Sequence, residues 1–139
     1  MMKQRIDYKN KNTIRERIYA HDGIFTGFNY EYENNLIYFE IQRNFYGKNF
    51  KLLFNNVFGF EMQSCDFWSN SPHVFDLELG DSYGNKMTKM LLERHESEKK
   101  SCSRLTKYDE AVEIIITLTS GDKLTLVCEY IEYEEKDSI

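Results

Sequence analysis

The chain has 139 residues, of which 41% are hydrophobic and 15% aromatic, and its formal net charge is -5. This length suits one domain spanning residues 1–139 and allows a hydrophobic core to form. No apolar run approaches the roughly 20 residues of a membrane-spanning helix. An acidic protein is a poor ligand for nucleic acid, because phosphate contacts dominate that affinity. The composition therefore argues against both a membrane and nucleic acid as partners.

The start of the chain is polar and basic, and it lacks the apolar segment of a signal peptide. Without a clear hydrophobic period, residues 1–11 are predicted to be poorly ordered. Cys65, Cys102 and Cys128 are odd in number and form no C-x-x-C motif, which is typical of reduced thiols in the cytosol. We therefore expect a cytoplasmic protein.

The first predicted element is a short helix over about residues 13–21. Thr13 and Glu16 have the spacing of a capping box, in which the Thr side chain caps a backbone amide and the Glu reaches back. Ile14 and Ile18 then lie on one face of the helix, which indicates that this face is buried.

A hairpin over residues 23–41 is the best-specified stretch of the sequence. Asn34-Asn35 suits a two-residue loop because Asn tolerates positive φ angles. That loop makes Tyr30 and Phe39 cross-strand neighbours, and a slip of one residue would set the two apolar rows on opposite faces. We therefore expect one buried face, formed by Phe28, Tyr30, Tyr32, Ile37, Phe39 and Ile41.

Three further elements follow in the middle of the chain. Alternation from Phe50 predicts a half-buried strand, which at Asn55-Asn56 either turns into a second hairpin or continues through a bulge or bend. Residues 74–79 alternate strictly and predict a strand with its odd-numbered residues inward. The period then changes, which predicts a helix over about residues 86–97 with Asn85 as its cap.

A second strong strand pair ends the chain, with apolar rows from Val112 to Leu118 and from Leu124 to Tyr130. A three-residue loop, Ser120-Gly121-Asp122, brings both rows to one face, although Gly-Asp alone would make a better turn. An exposed apolar row costs more than an unusual turn, so the burial pattern decides. The sequence predicts an α+β fold, mainly antiparallel β: a curved sheet or barrel of six to seven strands with two short helices.

No spacing of residues indicates catalysis, a metal site or a cofactor, since histidine motifs, phosphate-binding loops and nucleophile elbows are all lacking. The candidate binding loop contains Asp66, Phe67, Trp68 and His73. Trp is enriched in interface hot spots and is costly to leave in a loop unless it packs or binds. Either these residues line a pocket at a barrel mouth, or Trp68 plugs one end of the core.

The charge is spread unevenly. Residues 1–60 carry nine Lys and Arg against six Asp and Glu, a net of +3, whereas residues 61–139 carry nine against seventeen, a net of -8. The acidic charge has two possible roles: it can attract a basic protein partner, or it can simply keep the protein soluble. The oligomeric state is not predicted.

Three stretches resemble one family when taken in order: residues 67–74 (FWSNSPHV), 89–93 (KMLLE) and 118–124 (LTSGDKL). Together they resemble the YxiG-like proteins, small uncharacterised proteins of Gram-positive bacteria. That family is associated with secreted polymorphic toxins, so the resemblance implies an immunity-type protein that binds and masks a toxin domain. It implies no catalytic residue. The alternative is a small-molecule-binding β barrel or minor enzyme with a pocket near Trp68 and His73, and the sequence favours a binding module over an enzyme.

Overall fold

A computed structural model describes residues 3–14, 18, 23–42, 49–63, 73–98 and 110–136. Within these residues lie seven strands, one α-helix and two short 3₁₀ helices. The strands are β1 (Lys3–Asp7), β2 (Ile24–Glu31), β3 (Leu36–Gln42), β4 (Asn49–Met62), β5 (Val74–Leu79), β6 (Val112–Leu118) and β7 (Lys123–Lys136). The helix is α1 (Lys86–Glu98), and the 3₁₀ helices are η1 (Lys11–Thr13) and η2 (Gly80–Tyr83).

All the strands form one antiparallel sheet in the order β2-β3-β4-β7-β6-β5, and β1 also pairs with β7. The long strand β7 pairs with β6 along its first half and with β1 along its second. The sheet is curved and not closed into a barrel: among the described residues, its outer strands meet only at one bridge between Ile24 and His73. The mainly antiparallel α+β fold is confirmed, in its curved-sheet form.

Apolar side chains from the strands fill the inner side of the curved sheet. Its largest fully buried side chains include Phe39, Phe50, Phe54, Ile6, Leu52, Ile114, Ile116, Leu124 and Leu126. Strand β1 contributes to this core because Ile6 pairs with Ile131 of β7, and the sequence analysis predicted no strand there. Cys128 is fully buried in the same core.

Strand β4 runs on through Asn55-Asn56 as one long strand with a bend, so the hairpin alternative is wrong. Before the bend its even-numbered residues are buried, and after it Val57 takes their place. Asn56 absorbs the change with a φ of +53°, a left-handed conformation that Asn tolerates. The inward-outward alternation of side chains in β7 shifts at the positions that pair with this bend, since Ile131 and Cys128 both face the core. The bend therefore turns both central strands together.

The β2–β3 hairpin differs from its predicted register by two positions. Phe28 pairs with Phe39 and Tyr30 with Ile37, so Tyr30 and Phe39 are not direct neighbours. The loop has four residues, 32–35, closed by Asn35, whose φ is +48° and whose amide donates to the Tyr32 carbonyl at 3.2 Å. A shift of two keeps each side chain on its face. Burial of Phe28, Tyr30 and Tyr32 was nevertheless predicted wrongly, because β2 is an outer strand and these side chains are 39%, 47% and 82% exposed.

The C-terminal hairpin confirms that both apolar rows face the core as far as Cys128, whereas Tyr130 was wrongly predicted in the same row, because the alternation shifts and Ile131 faces the core instead. Its three-residue loop is Thr119-Ser120-Gly121, one position earlier than predicted. The Gly121 amide donates to the Leu118 carbonyl at 2.8 Å, and the Leu118 amide donates to the Asp122 carbonyl at 2.9 Å. Gly121 has a φ of +92°, so this is a turn followed by a glycine bulge, a common hairpin form.

Helix α1 confirms the helix predicted over residues 86–97 and packs on the outer face of the sheet. Met87 and Leu91 form a second small cluster with Ala111 and Val127. The helix predicted over 13–21 lies mostly outside the described residues, but the Ile18 amide donates to the Ile14 carbonyl at 2.8 Å, as in a helical turn. No helix in the described part of the chain is long and apolar enough to span a membrane.

Strand β5 follows the predicted alternation only from its middle. A bulge between Val74 and Asp76 places Val74 in the core, where the alternation predicted an outward residue. Leu77 is buried as predicted, and Leu79 packs against the core. The side chain of Phe75 lies outside the described residues.

Candidate functional site

The predicted binding loop falls almost wholly outside the described residues, which include neither Asp66, Phe67 nor Trp68. His73 is described and is partly exposed just before β5. Its carbonyl accepts a hydrogen bond from the Thr119 amide at 2.9 Å, and its backbone forms the bridge to Ile24. A pocket near Trp68 and His73 therefore stays a prediction.

An open groove of about 500 Å³ lies between β2 and the second half of β4. We call it the aromatic groove. Phe28 and Tyr30 of β2 form one side, and Phe58 and Phe60 of β4 line it as well. The remaining lining residues are Asn35, Ile37, Val57 and Gly59. The volume lies within the usual range for ligand pockets, and the lining is mostly apolar.

The position of the groove depends on the β4 bend and on the tip of the first hairpin. The Asn35 side-chain amide donates to the Val57 carbonyl at 2.9 Å and to Asn56 Oδ1 at 3.2 Å. In return, the Val57 amide donates to the Asn35 carbonyl at 3.2 Å. These three bonds hold the hairpin tip against β4 just after the bend. They give the Val57 amide and carbonyl hydrogen-bond partners on the hairpin tip.

Stacked aromatic rings form the wall of the groove. Phe28 stacks on Phe60 with 5.2 Å between ring centroids, and it contacts Phe39 at 5.4 Å. Phe28 is still 39% exposed and Tyr30 is 47% exposed. Tyr and Phe combine a large contact area with few rotatable bonds, which suits them to binding surfaces.

Helix α1 lies behind the groove and supports it. A Cβ atom at Gly59 would lie 2.6 Å from Leu91 Cδ1, so a side chain on residue 59 would require the Leu91 side chain of α1 to move. Phe58 packs against the cluster that contains Leu91. One side of this part of β4 is therefore closely covered, while the other side remains open.

The outer edge of β2 borders the same groove. Strand β2 pairs with β3 from Ile24 to Glu31, and in the described part of the chain its opposite edge is paired only at Ile24. Residues 24–30 carry no charged side chain. Natural proteins usually protect a long, uncharged outer edge, because it can pair with another chain.

The glutamates of β7 are less available for a partner than the sequence suggested. Glu132 lies opposite Arg5 in the register, and it accepts a hydrogen bond from Asn55 at 3.0 Å. Glu134 lies opposite Lys51. Basic residues of the neighbouring strands therefore lie opposite part of the acidic row of β7, a placement that favours opposite charges.

Glu113 is a carboxylate only 4% exposed, and its role in the fold is clear. It accepts hydrogen bonds from the Thr88 backbone amide at 2.8 Å and from the Thr88 hydroxyl at 2.7 Å. Because Thr88 lies in the first turn of α1, Glu113 caps that helix from β6 and meets its positive end. Asn85, predicted as the cap, directly precedes α1, and its carbonyl accepts a hydrogen bond from the Lys89 amide at 3.1 Å while its side-chain amide donates to Asp81.

The described residues offer no group of three or more His, Cys, Asp or Glu that could hold a metal ion. The Cys128 thiol is buried, and its burial together with the nearby Glu129 raises its pKa, which keeps it from acting as a nucleophile. The aromatic groove is therefore the candidate site. Sequence reasoning missed it, because the hairpin pattern predicted Phe28 and Tyr30 to be buried, whereas both are half exposed.

No model of a known protein family and no curated protein matches the chain.

Proposed function

We propose that the protein is a protein-binding module, that the aromatic groove is its contact surface, and that it acts as an immunity-type protein masking a toxin domain. The observation that carries the binding role is the pair of half-exposed aromatic residues, Phe28 and Tyr30, on the outer strand β2. Exposed apolar patches with a polar surround commonly mark protein interfaces. The immunity-type role is supported by the resemblance of residues 67–74, 89–93 and 118–124 to the YxiG-like proteins.

A basic partner surface suits the surroundings of the groove. Glu31 and Glu33 lie at the tip of the β2–β3 hairpin next to Tyr30, and residues 24–42 carry no Lys or Arg. Long-range attraction between opposite charges speeds association and weakens as salt is added. The proposal therefore includes a salt-dependent association rate.

Co-purification tests this function. Candidate toxin domains encoded near the gene are co-expressed with the wild-type protein and with two variants, Tyr30→Ser and Tyr83→Ser. Both variants replace a tyrosine with serine. The two tyrosines are 47% and 46% exposed, but only Tyr30 lines the groove. We expect one toxin domain to be retained, and we expect Tyr30→Ser to weaken its binding at least about tenfold, a typical hot-spot effect.

Tyr83→Ser should bind that domain like the wild type. Capture of no toxin domain would contradict the immunity-type role. Equal binding by both variants would show that the contact surface lies elsewhere, and an association rate unchanged between low and high salt would remove the charge-steered part of the proposal.

A small-molecule ligand is the second candidate, because the groove combines an apolar lining with the polar groups of Asn35 and Tyr30. Screening a library of small aromatic and aliphatic compounds by protein-observed NMR would test it. Shift changes confined to groove residues would favour this role over protein binding.

A further inference from the structure

We propose that the partner contributes an extended segment of alternating apolar and basic residues, which adds as a new strand to the outer edge of β2. This inference rests on the proposed binding function and concerns how the groove is filled. The aromatic groove and the outer edge of β2 are continuous, since Phe28 and Tyr30 belong to both. A strand placed on that edge would therefore bring half of its side chains over the groove.

Backbone geometry supports strand addition at this edge. In an antiparallel strand, about every second residue directs its N–H and C=O groups away from the existing neighbour. Beyond Ile24, the described residues supply no further pairing for the groups on this edge of β2. Addition of a strand gives affinity through these backbone bonds and specificity through alternate side chains.

The two faces of β2 define the side chains of the added strand. On the inner face, Phe28 and Tyr30 favour apolar side chains at alternate positions. On the outer face lie Asn29 and Glu31, and a Cβ atom at Gly27 would lie 3.4 Å from Glu40 Oε2. Because Gly27 has no side chain, nothing on residue 27 separates the Glu40 carboxylate from the edge of β2. Lys or Arg at the intervening positions of the partner would therefore meet negative charge.

The same charges disfavour a second copy of this chain as the occupant. Antiparallel pairing of two β2 strands about Asn29 would place Glu31 of one copy opposite Gly27 of the other. Because Glu40 lies across from Gly27 in the same sheet, carboxylates would approach each other at both ends of the pairing. Like charges in adjacent cross-strand positions are destabilising.

The experiment uses the full-length protein and an eight-residue peptide of alternating valine and lysine as the probe. Two further peptides carry N-methyl groups, one on the amides of its valines and the other on the amides of its lysines. A fourth peptide has glutamate in place of lysine. We expect the first peptide to bind and the glutamate peptide to bind at least about tenfold more weakly. Because strand addition uses one edge of the peptide, only one N-methylated peptide should lose binding to a similar extent.

Amide hydrogen exchange followed by NMR locates the peptide. Slower exchange of β2 amides on peptide addition, with no change in η2, is the expected result. Strand addition would be overturned if β2 exchange did not slow and both N-methylated peptides bound equally well. If Tyr30→Ser still weakened binding in that case, the groove would remain the binding surface. A toxin domain that binds through the groove while no peptide binds would overturn the proposed partner chemistry alone.

Two remaining outcomes are also decisive. Concentration-dependent slowing of β2 exchange without peptide would identify a second copy as the occupant and overturn the inference. Failure of every peptide together with failure to capture any toxin domain would reject both the inference and the proposed function.

Discussion

The second half of β4 separates two regions that are built differently. Towards helix α1, side chains are packed so closely that Gly59 has no room for a Cβ atom, and the buried Glu113 carboxylate has donors on the helix. Towards β2, Phe28 and Tyr30 remain half exposed beside an open groove. The proposed function assigns the groove side to binding, whereas the close packing on the helix side serves stability.

The largest expected effect concerns the groove wall and the core directly behind it. Phe39→Ala should lower the free energy of unfolding by about 3–5 kcal/mol, because it empties a fully buried aromatic position. Tyr30→Ala, on the same face of the neighbouring strand, should cost under about 1 kcal/mol, because that side chain is half exposed. Urea unfolding of the two variants measures both values, and similar costs would show that Tyr30 belongs to the core.

The buried carboxylate on the helix side gives the next largest effect. Glu113→Ala should lower the free energy of unfolding by about 2–3 kcal/mol, since it leaves the Thr88 amide and hydroxyl without their acceptor. Glu113→Gln is the matched control, because it keeps an acceptor oxygen and should cost about 1 kcal/mol through the lost charge at the helix end. Thermal or urea unfolding would detect the difference. An alanine variant as stable as the glutamine variant would contradict the capping role.

A pair of glycine substitutions compares the two regions with the same chemical change. Gly59→Ala should cost about 1–2 kcal/mol, because the new Cβ would lie 2.6 Å from Leu91 Cδ1 and that side chain must move. Gly27→Ala, at the β2 edge, meets its nearest atom at 3.4 Å and should cost less. Repeating Gly59→Ala in a Leu91→Ala background should remove most of its cost. A cost that persists there would point to the backbone rather than to α1.

The smallest effect is expected at the ion pair between η1 and η2. Lys11 Nζ lies 2.7 Å from Asp81 Oδ2, and this hydrogen bond holds the pKa of the Asp81 carboxyl below its ordinary value of 3.8. The folded protein therefore binds this proton more weakly than the unfolded chain does. The pair stabilises the fold above pH 3.8 and loses that contribution as the pH falls through the lowered pKa.

Lys11→Met should accordingly cost under about 1 kcal/mol at neutral pH, because Asp81 is partly exposed. The stability difference from the wild type should shrink towards zero in acid. Lys9→Met, at an exposed neighbouring position, serves as the control and should show no such pH dependence. A difference that grows as the pH is lowered would have the wrong sign for this pair.

Much of the fold was predictable from local periodicity. The rows from Val112 to Leu118 and from Leu124 to Cys128 alternate so regularly that their shared face followed without knowledge of the turn. Helix α1 was predictable because the spacing of apolar residues changes there from a strand period to a helical period. The first hairpin was harder, because Asn34-Asn35 suited a two-residue loop, whereas Asn35 in fact closes a four-residue loop. The resulting shift of the strand register kept each side chain on its predicted face of the sheet but gave it a different cross-strand neighbour.

The candidate site was not predictable in the same way. The groove exists because β4 bends at Asn56 and brings Phe60 to Phe28, which is far away in the sequence. A local pattern cannot show a contact of this kind. Strand β1 escaped prediction for a related reason, since Ile6 is its only apolar residue and the pairing with β7 is what gives it a place in the core.

Hydrogen–deuterium exchange of the protein alone and in complex with its captured partner tests the central claim most directly. We predict slower exchange in β2 and in the second half of β4 when the partner is bound, with no change in α1 or η2. Protection confined to α1 or η2, with β2 exchanging as in the free protein, would contradict the assignment of the aromatic groove as the binding surface.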